Sequence, residues 1–106
     1  MADNFELDIL ELSSSELEEF EIIDLREPGE DPTQMLRRLI RNNFIEAPLS
    51  MFDLKHPPVE PGKKYIVVCQ GGARSRGVVL RLREAGFENV FCVSGGADAF
   101  RRKFIA

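Results

Sequence analysis

The chain is poor in the residues that build metal centres and disulfide frameworks. Its 106 residues include two cysteines, one histidine and no tryptophan. Cys69 and Cys92, even together with His56, are too few to form a structural zinc site, so we expect no metal and no other cofactor. In a reducing compartment the two thiols are expected to stay free rather than to form a disulfide.

Long hydrophobic runs are absent as well. No apolar stretch approaches the roughly 20 residues that a membrane-spanning helix needs, which predicts no membrane partner. The N-terminal segment Met1–Glu6 has neither the basic part nor the apolar part of a secretory signal peptide, so a cytoplasmic location is expected. The chain length fits one domain, residues 1–106, with a single hydrophobic core.

Acidic and basic residues are unevenly distributed along the chain. Residues 1–31 hold 12 of the 18 acidic residues and a single base, Arg26, whereas residues 32–106 hold the other 13 bases. We expect the two oppositely charged parts to attract each other within the fold. The alternative is a basic surface that attracts anionic substrates or acidic partners. The net charge of −4, without aromatics among the basic residues, predicts no nucleic-acid binding.

Strand and helix patterns alternate in the first half of the chain. Apolar patterns predict short strands at Phe5–Leu10, at Glu21–Arg26 and, more weakly at a sheet edge, at Phe44–Leu49. A first helix is expected to begin at a cap formed by Ser13, Ser14 or Ser15 and to run through Phe20. A second is expected to begin at Asp31 and Pro32, and its apolar face would consist of Met35, Leu36, Leu39 and Ile40. A helical turn is expected over Ser50–Lys55. A loop with three prolines, His56–Gly62, then leads to the second half.

The second half has clearer patterns. Lys64–Val68 is rich in β-branched and aromatic residues, which is typical of a central parallel strand covered on both faces. A helix is expected to follow Cys69 and to end before Gly86. A buried strand at Val90–Val93 and a helix at Ala97–Phe104 complete the chain. The alternation predicts a three-layer α/β/α sandwich with a mostly parallel central sheet of about five strands.

Cys69 stands between the central strand and the helix that follows it. Parallel sheets bind ligands beyond the carboxyl ends of their strands. Gly71 and Gly72 allow the loop to wrap tightly, so that several backbone N–H groups turn toward one point. Such donors at a helix N-terminus, with Arg74 and Arg76 close by, bind anions and favour a thiolate. The sequence therefore predicts covalent catalysis by Cys69, without an adjacent histidine or acidic base.

Three segments resemble the motifs of one known family, the rhodaneses (sulfurtransferases). Cys69–Ser75, which reads Cys-Gln-Gly-Gly-Ala-Arg-Ser, is similar to the family's active loop, in which a Cys, two residues, Gly, one residue, Arg and Ser recur. Ile23–Pro28 resembles the family's early Asp-x-Arg strand end. Val93–Phe100 resembles its C-terminal Gly-Gly turn and final helix. The resemblance runs from about Leu7 to Phe104.

The resemblance implies a rhodanese-like fold and a sulfurtransferase. Its catalytic residue would be Cys69, which would carry sulfane sulfur as a persulfide from a donor such as thiosulfate to cyanide, a thiol or a protein. The residues expected to bind substrate and persulfide are Gln70, Gly71, Gly72, Ala73, Arg74 and Ser75. Those expected to support the loop are Asp24 and Arg26. The implied partners are a small anionic sulfur donor and a sulfur-acceptor protein.

Two other functions stay open. One is a relay module that takes persulfide from one protein and passes it to another, with little thiosulfate activity. The other is a relative of cysteine-dependent phosphatases or arsenate reductases, which place five residues between Cys and Arg. Here four residues, Gln70–Ala73, separate Cys69 from Arg74. The shorter loop favours a single sulfur atom over a tetrahedral oxyanion, so sulfur transfer is preferred.

Several of these residues also have a purely structural interpretation. Arg74 is expected to form an ion pair, with Asp24 or Glu27 as its partner. Ser75 is expected to cap the helix rather than to take part in chemistry. Cys92 is expected to be a small core residue, with a resolving thiol as the alternative. Gly95 and Gly96 are expected to serve the strand-to-helix turn rather than the substrate, and His56 is expected to be a surface loop residue rather than a base or ligand.

The region after the first motif departs from the family pattern. Rhodaneses often have a Gly-His-Ile segment followed by Gly-Ala there, whereas Asp31–Asn43 predicts a basic helix. Phe44–Leu49 matches only the tail of that region. The chain has two basic clusters that are expected to be solvated faces or, alternatively, docking sites for an acidic sulfur-acceptor protein: Arg37, Arg38 and Arg41, and Arg101, Arg102 and Lys103.

Overall fold

A parallel sheet forms the centre of the computed structural model, which describes residues 5–30 and 35–104. Within these residues the strands are β1 (Glu6–Leu7), β2 (Phe20–Asp24), β3 (Phe44–Glu46), β4 (Lys64–Val68) and β5 (Val90–Val93). Their order across the sheet is β1-β5-β4-β2-β3, and every neighbouring pair is parallel. The central place of β4 and the edge place of β3 agree with the sequence patterns.

Helices cover both faces of the sheet. They are α1 (Ser14–Leu17), α2 (Met35–Leu39), α3 (Ala73–Glu84) and α4 (Gly96–Phe104), with short 3-10 turns at Ile9–Glu11 and Leu49–Met51. The helices α1, α2 and α4 share one core cluster, and α3 belongs to the other, so the predicted α/β/α sandwich is confirmed. None of the helices in the described residues is long and apolar enough to cross a membrane.

The sequence patterns locate most elements closely but miss some boundaries. Ser13 is the cap of α1, and its hydroxyl and the Glu16 carboxylate satisfy each other's backbone N–H groups in a capping box. The helix then ends at Leu17, earlier than expected. The helical turn expected over Ser50–Lys55 is displaced to Leu49–Met51. The expected helix start at 31–32 lies outside the described residues.

The position of β4 in the middle of the sheet explains why its sequence is apolar without alternating with polar residues. Ile66 and Val68 belong to the core cluster under α1, α2 and α4, whereas Tyr65 and Val67 belong to the cluster under α3. All four are at most 1% exposed. Because both faces of the sheet are covered, side chains pointing in either direction must be apolar. Cys69 continues the second set and therefore points toward α3.

Ion pairs connect the acidic first part of the chain to its basic second part. In the described residues they link Lys64 to Glu19, Lys63 to Glu21, Arg74 to Glu30 and Arg76 to Glu6. These pairs agree with the expected attraction between the two parts. Because most of these groups are partly exposed, each pair contributes only about 0–1 kcal/mol to stability.

Candidate active site

Cys69 follows the last residue of β4 and begins a loop that ends where α3 starts at Ala73. Neighbouring segments of the chain hold this loop from two sides. On one side, the Leu25 N–H after β2 donates to the Val68 carbonyl at 2.8 Å. On the other side, the Ala97 N–H in α4 donates to the Cys69 carbonyl at 2.9 Å. The predicted nucleophile therefore lies at the carboxyl edge of the sheet, where ligands of parallel sheets bind.

Backbone N–H groups converge on the Cys69 sulfur as the sequence predicts. The Gly72 N–H donates to Sγ at 3.1 Å, and the Ser75 N–H donates to it at 3.3 Å. The Ser75 hydroxyl lies 3.4 Å from the same sulfur. Cys69 is only 1% exposed, so these donors act in surroundings that hold little water. Charge-dipole interactions are stronger there than in bulk solvent.

The donors determine the protonation of Cys69. Burial raises the pKa of its thiol because a thiolate loses its hydration. Hydrogen bonds from the Ser75 hydroxyl and from the N–H groups of Ser75, Gly72 and Arg74 outweigh that effect. The pKa of Cys69 therefore lies below the ordinary value for cysteine. The structure thus combines a buried thiol with a fixed set of donors for its negative charge.

Ser75 contacts the sulfur and does not cap the helix, so the capping prediction is wrong. Gly72 is the N-cap of α3, with φ of 102° and no side chain to serve as a cap. A cap at Ser75 would start the helix at Arg76. The left-handed conformation of Gly72 instead lets the helix start at Ala73, so Ser75 lies in its first turn. The Ser75 side chain is fully buried, and its hydroxyl donates to the Gly72 carbonyl at 3.1 Å.

Arg74 forms its ion pair with Glu30, and the expectation of Asp24 or Glu27 is wrong. Its two terminal nitrogens donate to the Glu30 carboxylate at 2.7 and 3.0 Å. This pair lowers the pKa of Glu30 and raises that of Arg74, to which the Cys69 sulfur also contributes. The Glu27 carboxylate instead binds the N–H and hydroxyl of Ser50.

Asp24 and Arg26 form a two-point ion pair at the end of β2. The Arg26 Nε and Nη2 each donate to a different Asp24 oxygen at 3.0 Å, and both side chains are largely buried. Arg26 also lowers the pKa of Glu30 electrostatically, behind the hydrogen bond from Arg74. Arg26 and Arg74 thus both act electrostatically on the Glu30 carboxylate. A role for Asp24 and Arg26 in supporting the loop stays a prediction.

The first turn of α4 braces the loop from the other side. The Asp98 N–H donates to the Gln70 carbonyl at 3.2 Å, and the Gln70 side-chain amide donates to the Asp98 carboxylate at 2.7 Å. Gly96, with φ of 61°, lies against the loop, and a Cβ there would stand 2.7 Å from the Gly72 nitrogen. Gly96 therefore serves the loop as well as the turn. These roles of Gly96 and Asp98 were not predicted from the sequence, although both residues lie in the Gly-Gly segment Val93–Phe100.

Cys92 lies in β5 within the same core cluster as Cys69. It is fully buried, as expected for a small core residue, and burial raises the pKa of its thiol to about 12. Both cysteines are free thiols. In the part of the chain that the structure describes, no group of three His, Cys, Asp or Glu side chains is placed to hold a metal ion.

An open cavity of about 680 Å³ lies away from this loop. It is located at the opposite edge of the sheet, where β4 and β5 begin. Its apolar lining comes from Val59, Pro61, Phe87 and Phe91. Both lysines that line it are paired, Lys63 with Glu21 and Glu60, and Lys64 with Glu19. The cavity therefore contributes no group to the chemistry at Cys69.

A parallel sheet whose carboxyl edge carries a buried cysteine, with backbone donors directed at its sulfur, defines an α/β protein with a candidate cysteine site. The chain belongs to the family described as Rhodanese-like domain, whose pattern matches residues 9–103. Two chloroplastic proteins of Arabidopsis thaliana are similar in sequence. Rhodanese-like domain-containing protein 9 is 32% identical over 79 residues, covering 63% of this chain and 32% of that protein. Rhodanese-like/PpiC domain-containing protein 12 is 32% identical over 91 residues, covering 82% of this chain and 29% of that protein.

Solved structures share the fold. A rhodanese-related protein from Thermoplasma volcanium matches with a TM-score of 0.67 at 24% identity, over 92% of this chain and 91% of that one. An NAD-dependent persulfide reductase from A. fulgidus matches with a TM-score of 0.59 at 29% identity, over 90% of this chain and 15% of that one. A possible tyrosine phosphatase from Rhodopseudomonas palustris matches with a TM-score of 0.58 at 25% identity, over 84% and 70%. The chain spans about a third of the length of the curated relatives.

Proposed function

We propose that the chain is a sulfurtransferase that carries sulfane sulfur on Cys69. The observation that supports this most directly is the convergence of the Gly72 and Ser75 N–H groups and the Ser75 hydroxyl on one buried sulfur. These donors stabilise the thiolate before reaction and can stabilise the charge of a persulfide after it. Family membership agrees with this chemistry, and thiosulfate is the donor that we propose.

The reaction proceeds in two displacements. In the first, the Cys69 thiolate attacks the outer sulfur of thiosulfate, a new S–S bond forms, and the original S–S bond breaks with its electron pair leaving on sulfite. In the second, a nucleophilic acceptor such as cyanide attacks the outer sulfur of the persulfide and leaves as thiocyanate. The electron pair of the persulfide bond returns to Cys69, so the thiolate is regenerated and no redox cofactor is consumed.

The length of the loop limits what it can hold. Arg74 lies in the first turn of α3, and its guanidinium is bound to Glu30. Four residues close the loop between Cys69 and this turn, and Cys69 is nearly covered. A narrow group such as one terminal sulfur fits this arrangement better than a phosphoryl group with three equatorial oxygens. We therefore give the geometry of the loop, which favours sulfur transfer, more weight than the similarity to a possible tyrosine phosphatase.

A persulfide relay between proteins is the second candidate function. One similar structure is an NAD-dependent persulfide reductase, and the match covers 15% of that chain. The curated relatives are also about three times longer than the matched segment. A domain that accepts sulfur from, or passes it to, another domain needs little activity toward thiosulfate. The same loop and the same persulfide on Cys69 would serve that purpose.

Mass spectrometry of the intact protein tests the shared step. After incubation with thiosulfate, we expect a mass increase of one sulfur atom, which cyanide removes with release of thiocyanate. The variant Cys69→Ser should show neither change while keeping the urea-unfolding midpoint of the parent, and Cys92→Ala serves as the matched control. An added sulfur that persists in Cys69→Ser would refute the assignment. Modification by a protein persulfide but not by thiosulfate would identify the relay function.

A further inference from the structure

The surfaces of α2 and α4 carry arginines that the internal ion pairs do not use. One basic residue of each helix is engaged inside the fold: Arg37 binds the Glu46 carboxylate and covers the Phe44 ring, and Lys103 donates to the Ile9 carbonyl at 2.7 Å. The other basic residues of α2, of the segment just after it and of α4 are exposed, and within residues 5–30 and 35–104 they have no carboxylate partner. They are Arg38, Arg41, Arg101 and Arg102, and we call them the basic face.

The packing of the two helices brings these arginines to one side of the molecule. The helices α2 and α4 contact each other and share the core cluster on one face of the sheet. Their buried side chains, such as Leu36 and Phe100, pack toward the sheet, so the exposed arginines lie on the outer, solvent side of the helix layer. The axes of packed helices are about 8–10 Å apart, which is comparable to the Debye length at physiological salt. The four charges therefore act together on an approaching partner.

Little negative charge balances the basic face locally. In the described part of the chain, Asp98 is the only acidic residue of α2 and α4, and its carboxylate accepts from the Gln70 amide. The exposed carboxylates of the neighbouring segment, Glu11, Glu16 and Glu18, form no ion pair with these arginines among the described residues, and Glu16 binds the Ser13 N–H instead. The attraction between the acidic and basic parts of the chain thus leaves this positive charge unused.

The basic face lies close to the cysteine loop along α4. The first turn of α4 is bonded to the loop, because the Ala97 and Asp98 N–H groups donate to the Cys69 and Gln70 carbonyls. Arg101 follows Ala97 by four residues, which is about 6 Å along the helix axis. A partner bound to the outer side of α4 is therefore next to the loop that carries Cys69.

We propose that the basic face docks an acidic segment of a protein that exchanges sulfur with Cys69. The proposal rests on the proposed function and names the class of partner for the same site. A small anion cannot span charges that are distributed over two helices, whereas a run of Asp and Glu side chains can meet several of them at once. Complementary charge of this kind speeds encounter and orients the partner more than it tightens the complex, which suits the transient transfer of one sulfur atom.

A labelled octaglutamate peptide tests docking without any sulfur transfer. By fluorescence anisotropy at low salt, we expect the Kd of the double variant Arg38→Ala/Arg101→Ala to rise roughly five- to tenfold above that of the parent. The matched control is Lys55→Ala/Arg81→Ala, which removes two exposed basic residues outside α2 and α4 and changes the net charge equally. Its Kd should stay near that of the parent. Both double variants should keep the urea-unfolding midpoint, because all four side chains are exposed.

Three outcomes of this titration would overturn the proposal. An equal rise of the Kd in both double variants would mean that net charge, rather than the basic face, attracts the peptide. Absence of octaglutamate binding to the parent at low salt would mean that the face docks no acidic segment. A single-stranded DNA oligonucleotide of equal charge is the second probe, and tighter binding of it than of octaglutamate would assign the face to nucleic acid.

A second measurement connects docking to transfer. Two acceptor peptides end in the same cysteine, one after an octaglutamate tail and one after a glycine-serine tail. The acidic peptide should consume the persulfide of the parent severalfold faster at low salt, and this advantage should diminish in Arg38→Ala/Arg101→Ala and in about 0.5 M salt. Consumption by cyanide should be the same in variant and parent; equal rates of the two peptides with the parent would contradict the proposal. If the parent forms no persulfide with any donor, the proposed function fails, while the anisotropy titration still decides whether the basic face docks acidic segments.

Discussion

The ionisation of a nearly covered thiol depends on how its loop replaces lost water. Burial opposes the thiolate of Cys69, but the hydroxyl and three N–H groups of the loop and of α3 compensate for that loss. These donors are held by the backbone, so they do not need to reorganise when sulfur gains charge. The second cysteine provides the contrast. Cys92 is buried, and no donor within residues 5–30 and 35–104 hydrogen-bonds to its sulfur; burial raises the pKa of its thiol to about 12.

Ser75 is the side chain that we expect to affect this balance most. Its hydroxyl is the foremost of the hydrogen bonds that lower the pKa of Cys69. When the sulfur is ionised, the hydroxyl proton can turn from the Gly72 carbonyl to the sulfur. In Ser75→Ala the pKa of Cys69 should therefore rise, and the rate of alkylation by iodoacetamide should reach its midpoint at higher pH.

Ser94→Ala is the control for that variant, since Ser94 is exposed in the turn after β5. Its alkylation profile should superimpose on that of the parent. A Ser75→Ala profile with an unchanged midpoint would show that the backbone N–H groups alone set the protonation of Cys69.

At the scale of elements, the start of α4 and the cysteine loop behave as one structure. The N–H groups of Ala97 and Asp98 bind the carbonyls of Cys69 and Gln70, and Gly96 allows this close contact. A Cβ on Gly96 would stand 2.7 Å from the Gly72 nitrogen and 2.9 Å from the Gln70 oxygen, both of them backbone atoms. Backbone cannot rotate away as a flexible side chain can, so α4 or the loop must shift.

Substitution of Gly96 by alanine should therefore damage stability and activity together. We expect Gly96→Ala to lower the free energy of unfolding by about 1–3 kcal/mol, as overpacked sites do, and to slow the reaction of Cys69. Gly77→Ala is the matched control, because Gly77 lies inside α3 and a Cβ there meets nothing within 4 Å. It should raise stability by about 0.5–1 kcal/mol and leave the reaction unchanged. Urea unfolding and alkylation kinetics measure both effects; equal stability of the two variants would contradict the close contact.

At the scale of the whole molecule, carboxylates from the first part of the chain are tied to groups in the second part. A hydrogen bond from Asn43 lowers the pKa of Glu21, and hydrogen bonding to Arg74 lowers that of Glu30. For a carboxylate whose folded pKa is depressed, the stabilisation is complete above the unfolded pKa, which is near 4.5. It is lost as the pH falls through the folded pKa.

Stability should therefore be nearly constant between about pH 5 and 7 and should fall below about pH 4.5. Urea-unfolding midpoints across this range measure the effect. Glu30→Gln should be less stable than the parent at pH 7 and should approach it at pH 3, where the parent carboxylate is also neutral. A difference between the two proteins that stays the same at both pH values would contradict the ion-pair origin of the effect.

The parts of the fold that were predictable are those with a strong local pattern. The continuous apolar run of Lys64–Val68 identifies the central strand, because a strand that is covered on both faces needs apolar residues throughout. The glycines after Cys69 identify the loop, because a tight turn of the backbone requires residues without a side chain. The interpretations of Ser75 and Arg74 failed for another reason. Ser75 depends on where Gly72 starts the helix, and the partner of Arg74 lies 44 residues away at Glu30.

The order of residues alone determined that a small α/β domain would place a cysteine at the end of a buried strand, because burial on two faces, helix periodicity and glycine turns act over short stretches of chain. Only the tertiary structure decided which groups surround that sulfur. The contacts of Glu30, Asp98 and Gly96 with the loop depend on how parallel strands from distant parts of the chain end side by side. Such long-range proximity is set by packing of the whole sheet, and no local pattern records it.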